Sequence, residues 1–145
     1  MKFIDEIKAR AKQDVKTIVL PETRDKRTLI AAAQVLKEGT AKIVMVGDEE
    51  KIKDGAHWLD VELDGITVVN PETSPKLDEY VNLLYELRKK KGMTLESARE
   101  QLLNNYIMFG VMMVKCKDAD GMVAGCCHAT ADVLRPSLQL LKTAP

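Results

Sequence analysis

Three short apolar, β-branched runs, TIVLP (Thr17 to Pro21), AKIVMVG (Ala41 to Gly47) and GITVVNP (Gly65 to Pro71), recur with helix-like stretches between them. A continuous apolar run of that length, stopped by proline or glycine, reads as a strand buried on both faces. The stretch between the first two, ETRDKRTLIAAAQVLKEG, puts Leu29, Ala32, Ala33 and Leu36 on one helical face and ends at Gly39, a helix terminator. DEEKIKDG, between the second and third, reads as a short helix or turn. Ahead of them all, Phe3, Ile4, Ile7 and Ala11 form the stripe of an amphipathic helix. The β-α-β-α-β order predicts a parallel sheet with helices on both faces, a three-layer α/β/α fold.

From Ser74 the chain turns helical. SPKLDEYVNLLYELRKKKG opens on a Ser-Pro start signal, carries Leu77, Tyr80, Val81, Leu84 and Leu87 at helical spacing, and stops at Gly92. TLESAREQLLNN begins at Thr94, with Ser97 where an acidic partner would complete a capping box, so half a box is expected. YIMFGVMMVKCKDADG reads as a buried, methionine-rich helix. GMVAG follows as a fourth strand, then HATADVLRPSLQLLKTAP as a helix with Leu134, Leu138 and Leu141 inward. The final Thr-Ala-Pro, following directly on a helix, suggests part of a larger unit.

The 145 residues are 46% hydrophobic and 30% charged, the balance of a globular chain able to bury one core. Twenty-two basic residues offset twenty-two acidic ones, so no overall field draws nucleic acid or an anionic membrane, and any anion site must be local. No apolar run has the length of a membrane span and no secretory leader is recognisable, so a cytoplasmic address is expected. Three cysteines, two of them adjacent, do not form a disulfide framework and suit a reducing compartment.

The stretch GMVAGCCHATADVLRP, Gly121 to Pro136, concentrates the chemistry. A strand of small residues runs into a helix starting near Thr130, and the strand end plus helix start is where open α/β sheets bind ligands. Unpaired N–H groups at that helix start, the Thr130 hydroxyl and the Arg135 cation would together hold an anion. The competing reading makes Thr130 an N-cap and Asp132 a favourable first-turn acid. Cys126, Cys127 and His128 lack the spacing of a metal site, because adjacent ligands do not all point at one ion, so these cysteines read as buried small residues. His128 is either an acid/base or a hydrogen-bonded structural group. ETRDKR (Glu22 to Arg27) reads as the solvated first turn of a helix in preference to a site lining, and RKKKG (Arg88 to Gly92) as a basic helix end that weakly suggests a phosphate patch.

LPETRDKRTLIAAAQVLKEGTAKIVMVGDEEKI, LRKKKGMT and DADGMVAGCCHATADVLRPSLQLLKTAP resemble the amino-terminal part of the phosphate acetyltransferase family across essentially all 145 residues. The resemblance implies an acyltransferase that interconverts acetyl-CoA plus phosphate with acetyl phosphate plus CoA, without metal or a permanently bound cofactor, CoA being a substrate. It implies a homodimer with small-molecule partners only. It also implies a fold like that of the isocitrate and isopropylmalate dehydrogenases, of which residues 1–145 would be the amino-terminal α/β domain. The family's HSTADxxRP motif falls on His128, Ala129, Thr130, Ala131, Asp132, Arg135 and Pro136. By that match Arg135 and Thr130 would be catalytic, and Arg88, His128 and Thr130 would contact CoA, Arg88 through the 3′-phosphate. The family commonly has serine where Ala129 stands and a small apolar residue where Cys126 stands. The family's catalytic base is expected beyond Pro145, which would leave this stretch by itself inactive. Phosphate butyryltransferases, the acyltransferase-like domain fused to some malic enzymes, and a non-catalytic CoA- or acyl-phosphate-binding module are the alternative readings.

Overall fold

The computed structural model describes residues 2–145. In chain order the elements are α1 (Lys2–Gln13), β1 (Lys16–Leu20), α2 (Lys26–Glu38), β2 (Ala41–Val46), α3 (Glu49–Trp58), β3 (Thr67–Val69) and α4 (Leu77–Arg88). A 3₁₀ turn (Lys89–Lys91) leads to α5 (Leu95–Asn104), α6 (Tyr106–Lys115), β4 (Gly121–Met122) and α7 (Thr130–Leu140). The four strands pair in parallel in the order β3-β2-β1-β4, with Ile18 opposite Ile43 and Gly121, and Val44 opposite Thr67.

Alternation along the strands divides the apolar residues between two cores, because successive side chains leave opposite faces of the sheet. Ile43 and Met45, with Ile18 and Leu20, meet Leu29 and Ala32 of α2 and Ile52 of α3. Val19, Val44 and Val46 meet a larger cluster built by α4 to α7, with Tyr80, Leu84, Leu102, Phe109 and Met112 almost fully enclosed. The result is the three-layer α/β/α architecture that the run of strands and helices predicts. The close approach of α6 to the sheet depends on Gly110, where a Cβ would lie 2.8 Å from Met122 Sδ and 3.2 Å from Val19 Cγ1.

Helix ends follow their local chemistry. Asp25 and Asp48 cap α2 and α3, and α2 terminates at Gly39 in the left-handed region. The departures from expectation have physical causes. DEEKIKDG grows into a helix of ten residues, carried on to Trp58 by burial of Ile52 and Ala56. The capping box at Thr94 is complete, because the Ser97 hydroxyl accepts from the Thr94 N–H (3.0 Å) while Thr94 Oγ1 accepts from the Ser97 N–H (3.1 Å). The fourth strand is only two residues long, since the chain after Met122 bends into a loop.

In α7 the inward face is Val133, Pro136 and Leu140, while Leu134 and Leu138 are about half exposed (49% and 55%). Both sets fit a helical period, and periodicity alone does not choose between adjacent stripes. The N-cap of α7 is Ala129, extended at φ −65° and ψ 151°, and it supplies no side-chain acceptor. Thr130 is therefore the first helical residue and not the cap. The stripe on α1 is also uncovered, with Phe3 72% exposed. No helix among the described residues is long and apolar enough to cross a membrane.

Replacing Ala129 by Ser should restore the missing acceptor at an already extended N-cap, and raise stability by about 1 kcal/mol. The midpoint of urea unfolding measures it; an unchanged or lowered midpoint would show that the N-terminal amides of α7 do not need a cap.

Candidate functional site

The strand order places the site. From β1 the chain steps through α2 and α3 to β2 and β3 on one side, then returns through α4 to α6 to lay β4 on the other side of β1. The connections after β1 and β4 thus diverge, and the crevice at their carboxyl ends is the topological switch point at which open α/β sheets bind ligands. Pro21 to Asp25 fills it from β1, and Val123 to Ala129 from β4.

These two loops are joined by one carboxylate. Glu22 is buried (4% exposed), and its Oε1 accepts from the backbone N–H groups of Gly125 (2.5 Å) and Cys126 (3.1 Å). Its Oε2 accepts from the Cys127 N–H (2.8 Å) and the Cys127 thiol (3.1 Å), and pairs with His128 Nδ1 (2.8 Å). Burial by itself would push this carboxyl up, but the donors of His128, Cys127 and Gly125 outweigh it and hold the group well below the ordinary carboxylate range. The same carboxylate acts on Cys127: hydrogen bonding to Glu22, then burial, then its charge push the thiol up to about 12.

Beside it Thr23 donates to the Val46 carbonyl (2.8 Å) and Arg27 to the Cys126 carbonyl (2.6 Å), so further ties reach the end of β2 and the loop. ETRDKR is thus not a plain solvated turn, as two of its residues are buried and three make the site's frame. The cysteines, read from sequence as buried, are both exposed: Glu22 draws in their backbone N–H groups and the Cys127 thiol, but the loop itself stays at the surface.

Above this frame lies an open cavity of about 890 Å³, whose lining includes Arg24, Arg88, Lys91, His128, Asp132 and Arg135. Four cations face one hollow in a chain of zero net charge. Among the described residues no ion pair engages the side chain of Arg88, Lys91 or Arg135, while Arg24 stacks on the Tyr106 ring at 5.7 Å. Arg88 arrives from the last turn of α4, and Lys91 sits just before Gly92, whose φ of 89° turns the chain toward α5. Arg135 and Asp132 come from the first turns of α7. Such an arrangement attracts a polyanion of nucleotide size, with guanidinium forks suited to phosphate oxygens.

Of the residues singled out by sequence, Arg88, His128 and Arg135 share this cavity, whereas Thr130 is exposed and does not line it. The N–H groups of Gly125 to Cys127 are taken by Glu22 and are not available to a ligand. Glu22, Thr23 and Arg24 were missed as site residues. The signal for them was position, directly after Pro21 at the carboxyl end of the first strand, but the partners of Glu22 lie about a hundred residues away in sequence.

The family model described as phosphate acetyl/butaryl transferase matches residues 2–145. The chain is 52% identical, over its whole length, to the phosphate acetyltransferase of Acetivibrio thermocellus, and 47% identical to that of Clostridium acetobutylicum; in both cases it covers 43% of the relative. Among solved structures it resembles a phosphotransacetylase from Streptococcus pyogenes (TM-score 0.92, 35% identity) and the EutD phosphotransacetylase from Staphylococcus aureus (TM-score 0.88, 39% identity). Each match covers 99% of this chain and 43% of the other. The chain therefore spans less than half the length of the relatives it matches.

Since Glu22 keeps Cys127 protonated, Cys127 in a Cys116→Ser, Cys126→Ser background should alkylate at about pH 8 more than about tenfold slower than an unperturbed thiol, and Glu22→Gln should accelerate it. Labelling at the rate of a free thiol with Glu22 in place would contradict the Glu22–Cys127 contact.

Proposed function

The chain belongs to the phosphate acetyl/butaryl transferase family, and on that premise we propose that it forms one wall of the active site of a phosphate acetyltransferase. The reaction is reversible acetyl transfer between CoA and inorganic phosphate. The observation that carries the reading is the convergence of Arg24, Arg88, Lys91 and Arg135 on one cavity at the switch point of the sheet. Both substrates of either direction carry phosphate, and a cavity of about 890 Å³ has room for a CoA phosphate group together with an acyl phosphate.

In this reading Arg88 and Lys91, at the end of α4, take the 3′-phosphate of CoA. Arg135, on α7, takes the phosphoryl group of acetyl phosphate. In the synthetic direction the CoA thiolate attacks the acetyl carbonyl, the tetrahedral oxyanion is neutralised by cations, and the carbon–oxygen bond to phosphate breaks. His128, its Nδ1 held by Glu22, borders the CoA in this reading. Thr130 would join the site only when a bound ligand or further chain reaches the start of α7. The base that deprotonates CoA is placed in the part of the relatives that this chain does not span, so residues 2–145 alone bind without turning over.

The same reading takes these residues as the amino-terminal α/β domain of a two-domain, cytoplasmic, dimeric enzyme with small-molecule partners and no permanently bound cofactor. The exposed apolar residues of α1 and α7 are the surfaces available for assembly.

Calorimetry on this chain tests the assignment. CoA should bind, and Arg88→Ala should weaken it about tenfold to a hundredfold, the worth of a charge-assisted phosphate contact. CoA lacking the 3′-phosphate should bind equally weakly to both forms; an equal loss for the two cofactors would remove Arg88 from that contact. In an enzyme containing this chain joined to the rest of a family sequence, Arg135→Ala should lower kcat by about 10²–10³. Unchanged turnover would take Arg135 out of the reaction.

A further inference from the structure

The loop after β4 carries a second kind of chemistry, independent of anion binding. Donor atoms of Glu22, Cys126 and Cys127 lie within 4.8 Å of one another. His128 Nδ1 adds a nitrogen 2.8 Å from Glu22 Oε2 and 3.6 Å from Cys127 Sγ. Two thiols, an imidazole and a carboxylate are the donor set that borderline and soft divalent ions prefer. In a tetrahedral zinc site neighbouring donors stand about 3.3–3.8 Å apart, given metal–sulfur and metal–oxygen bonds of about 2.3 and 2.0–2.2 Å. Glu22, Cys126 and Cys127 already share one such neighbourhood, and His128 Nδ1 joins it through Glu22 and Cys127.

The hydrogen bonds point the same way. Glu22 Oε1 is filled by two backbone N–H groups, and Oε2 accepts a third from Cys127. What remains on Oε2 is shared by the Cys127 thiol and His128 Nδ1, two donors on one oxygen. A dication can replace both while the backbone bonds stay in place. The negative charge that now attracts those protons would attract the ion. Spacing argued against a metal because adjacent ligands do not converge alone; the convergence comes from Glu22, on a different strand's loop.

We propose that Glu22, Cys126, Cys127 and His128 form a binding site for a zinc-like divalent ion at the floor of the cavity. Binding releases two thiol protons to solvent as two metal–sulfur bonds form, and the imidazole moves its proton from Nδ1 to Nε2. Occupation ties Cys127 and His128, both cavity-lining residues, into the ion. The site is separate from the cations proposed to hold phosphate, so its test does not depend on acyl transfer.

The test is titration of the fully reduced chain with Cd²⁺, followed by thiolate-to-cadmium absorption, and with Zn²⁺ by calorimetry in two buffers of different protonation enthalpy. One equivalent should bind with the absorption of two thiolates and about two protons released, and binding should tighten as pH rises. Cys126→Ser and Cys127→Ser should each weaken binding by more than about a hundredfold, and His128→Ala by about tenfold or more. Cys116→Ser, at the carboxyl end of α6, should leave it unchanged. Since both serine variants change exposed side chains, their circular dichroism should match the parent. Absence of stoichiometric binding, or binding that survives the Cys126→Ser, Cys127→Ser pair, would overturn the proposal.

Discussion

A buried carboxylate is costly unless it is fully paired, and the arrangement of this molecule's switch point is set by how Glu22 meets that demand. β1 ends at Leu20, and two residues later Glu22 lies in the crevice where α/β sheets leave room for ligands. The loop after β4 answers it with three consecutive backbone N–H groups, a thiol and an imidazole. The short β4 pairs with β1 over only two residues, so sheet pairing alone does little to orient the loop beyond Met122. The carboxylate continues that alignment where the ladder stops. The direction in which the chain enters α7, and so the position of Arg135 over the cavity, depends on it.

The second constraint is electrostatic. With no net charge the chain has no general attraction for anions, yet the ends of α4 and α7 and the loop after β1 bring four cations to one hollow. Glu22 does not cancel them, because its charge is engaged by its own donors beneath the surface. Asp25 is likewise occupied: Arg27 holds it down to about 2, and Arg27 in turn fixes the Cys126 carbonyl. Glu22 and Asp25 are structural, and Arg88, Lys91 and Arg135 are left for a ligand. This division is what suits the cavity to phosphate groups.

Much of the architecture was legible in the residues. The apolar runs at 17–21, 41–47 and 65–71, the glycine at 39 and the helical spacing after Ser74 all lead to the observed layers, since local period and terminator chemistry determine them. Arg88, His128 and Arg135, marked by motif, meet in the cavity. The features that the residues did not disclose depend on contacts distant in sequence. Glu22 looked like a surface acid because its five donors begin more than a hundred positions later. Cys126 and Cys127 read as buried small residues, but the loop that Glu22 ties by its backbone N–H groups stays at the surface and leaves both exposed. In α7 two apolar stripes were equally periodic, and packing against α6 selected Val133, Pro136 and Leu140. Thr130, open in the sequence between an anion-site hydroxyl and an N-cap, is not the cap because Ala129, with no acceptor, takes that place.

The central claim is that one carboxylate holds the loop that shapes the site. Amide hydrogen exchange measured by NMR on this chain tests it most directly, at Gly125, Cys126 and Cys127, which lie outside every helix and strand. All three should be protected in the wild type, and in Glu22→Ala all three should exchange near the unstructured rate while amides of β1 and β2 remain slow. Rapid exchange at these positions in the wild type, or protection that survives loss of the carboxylate, would contradict it.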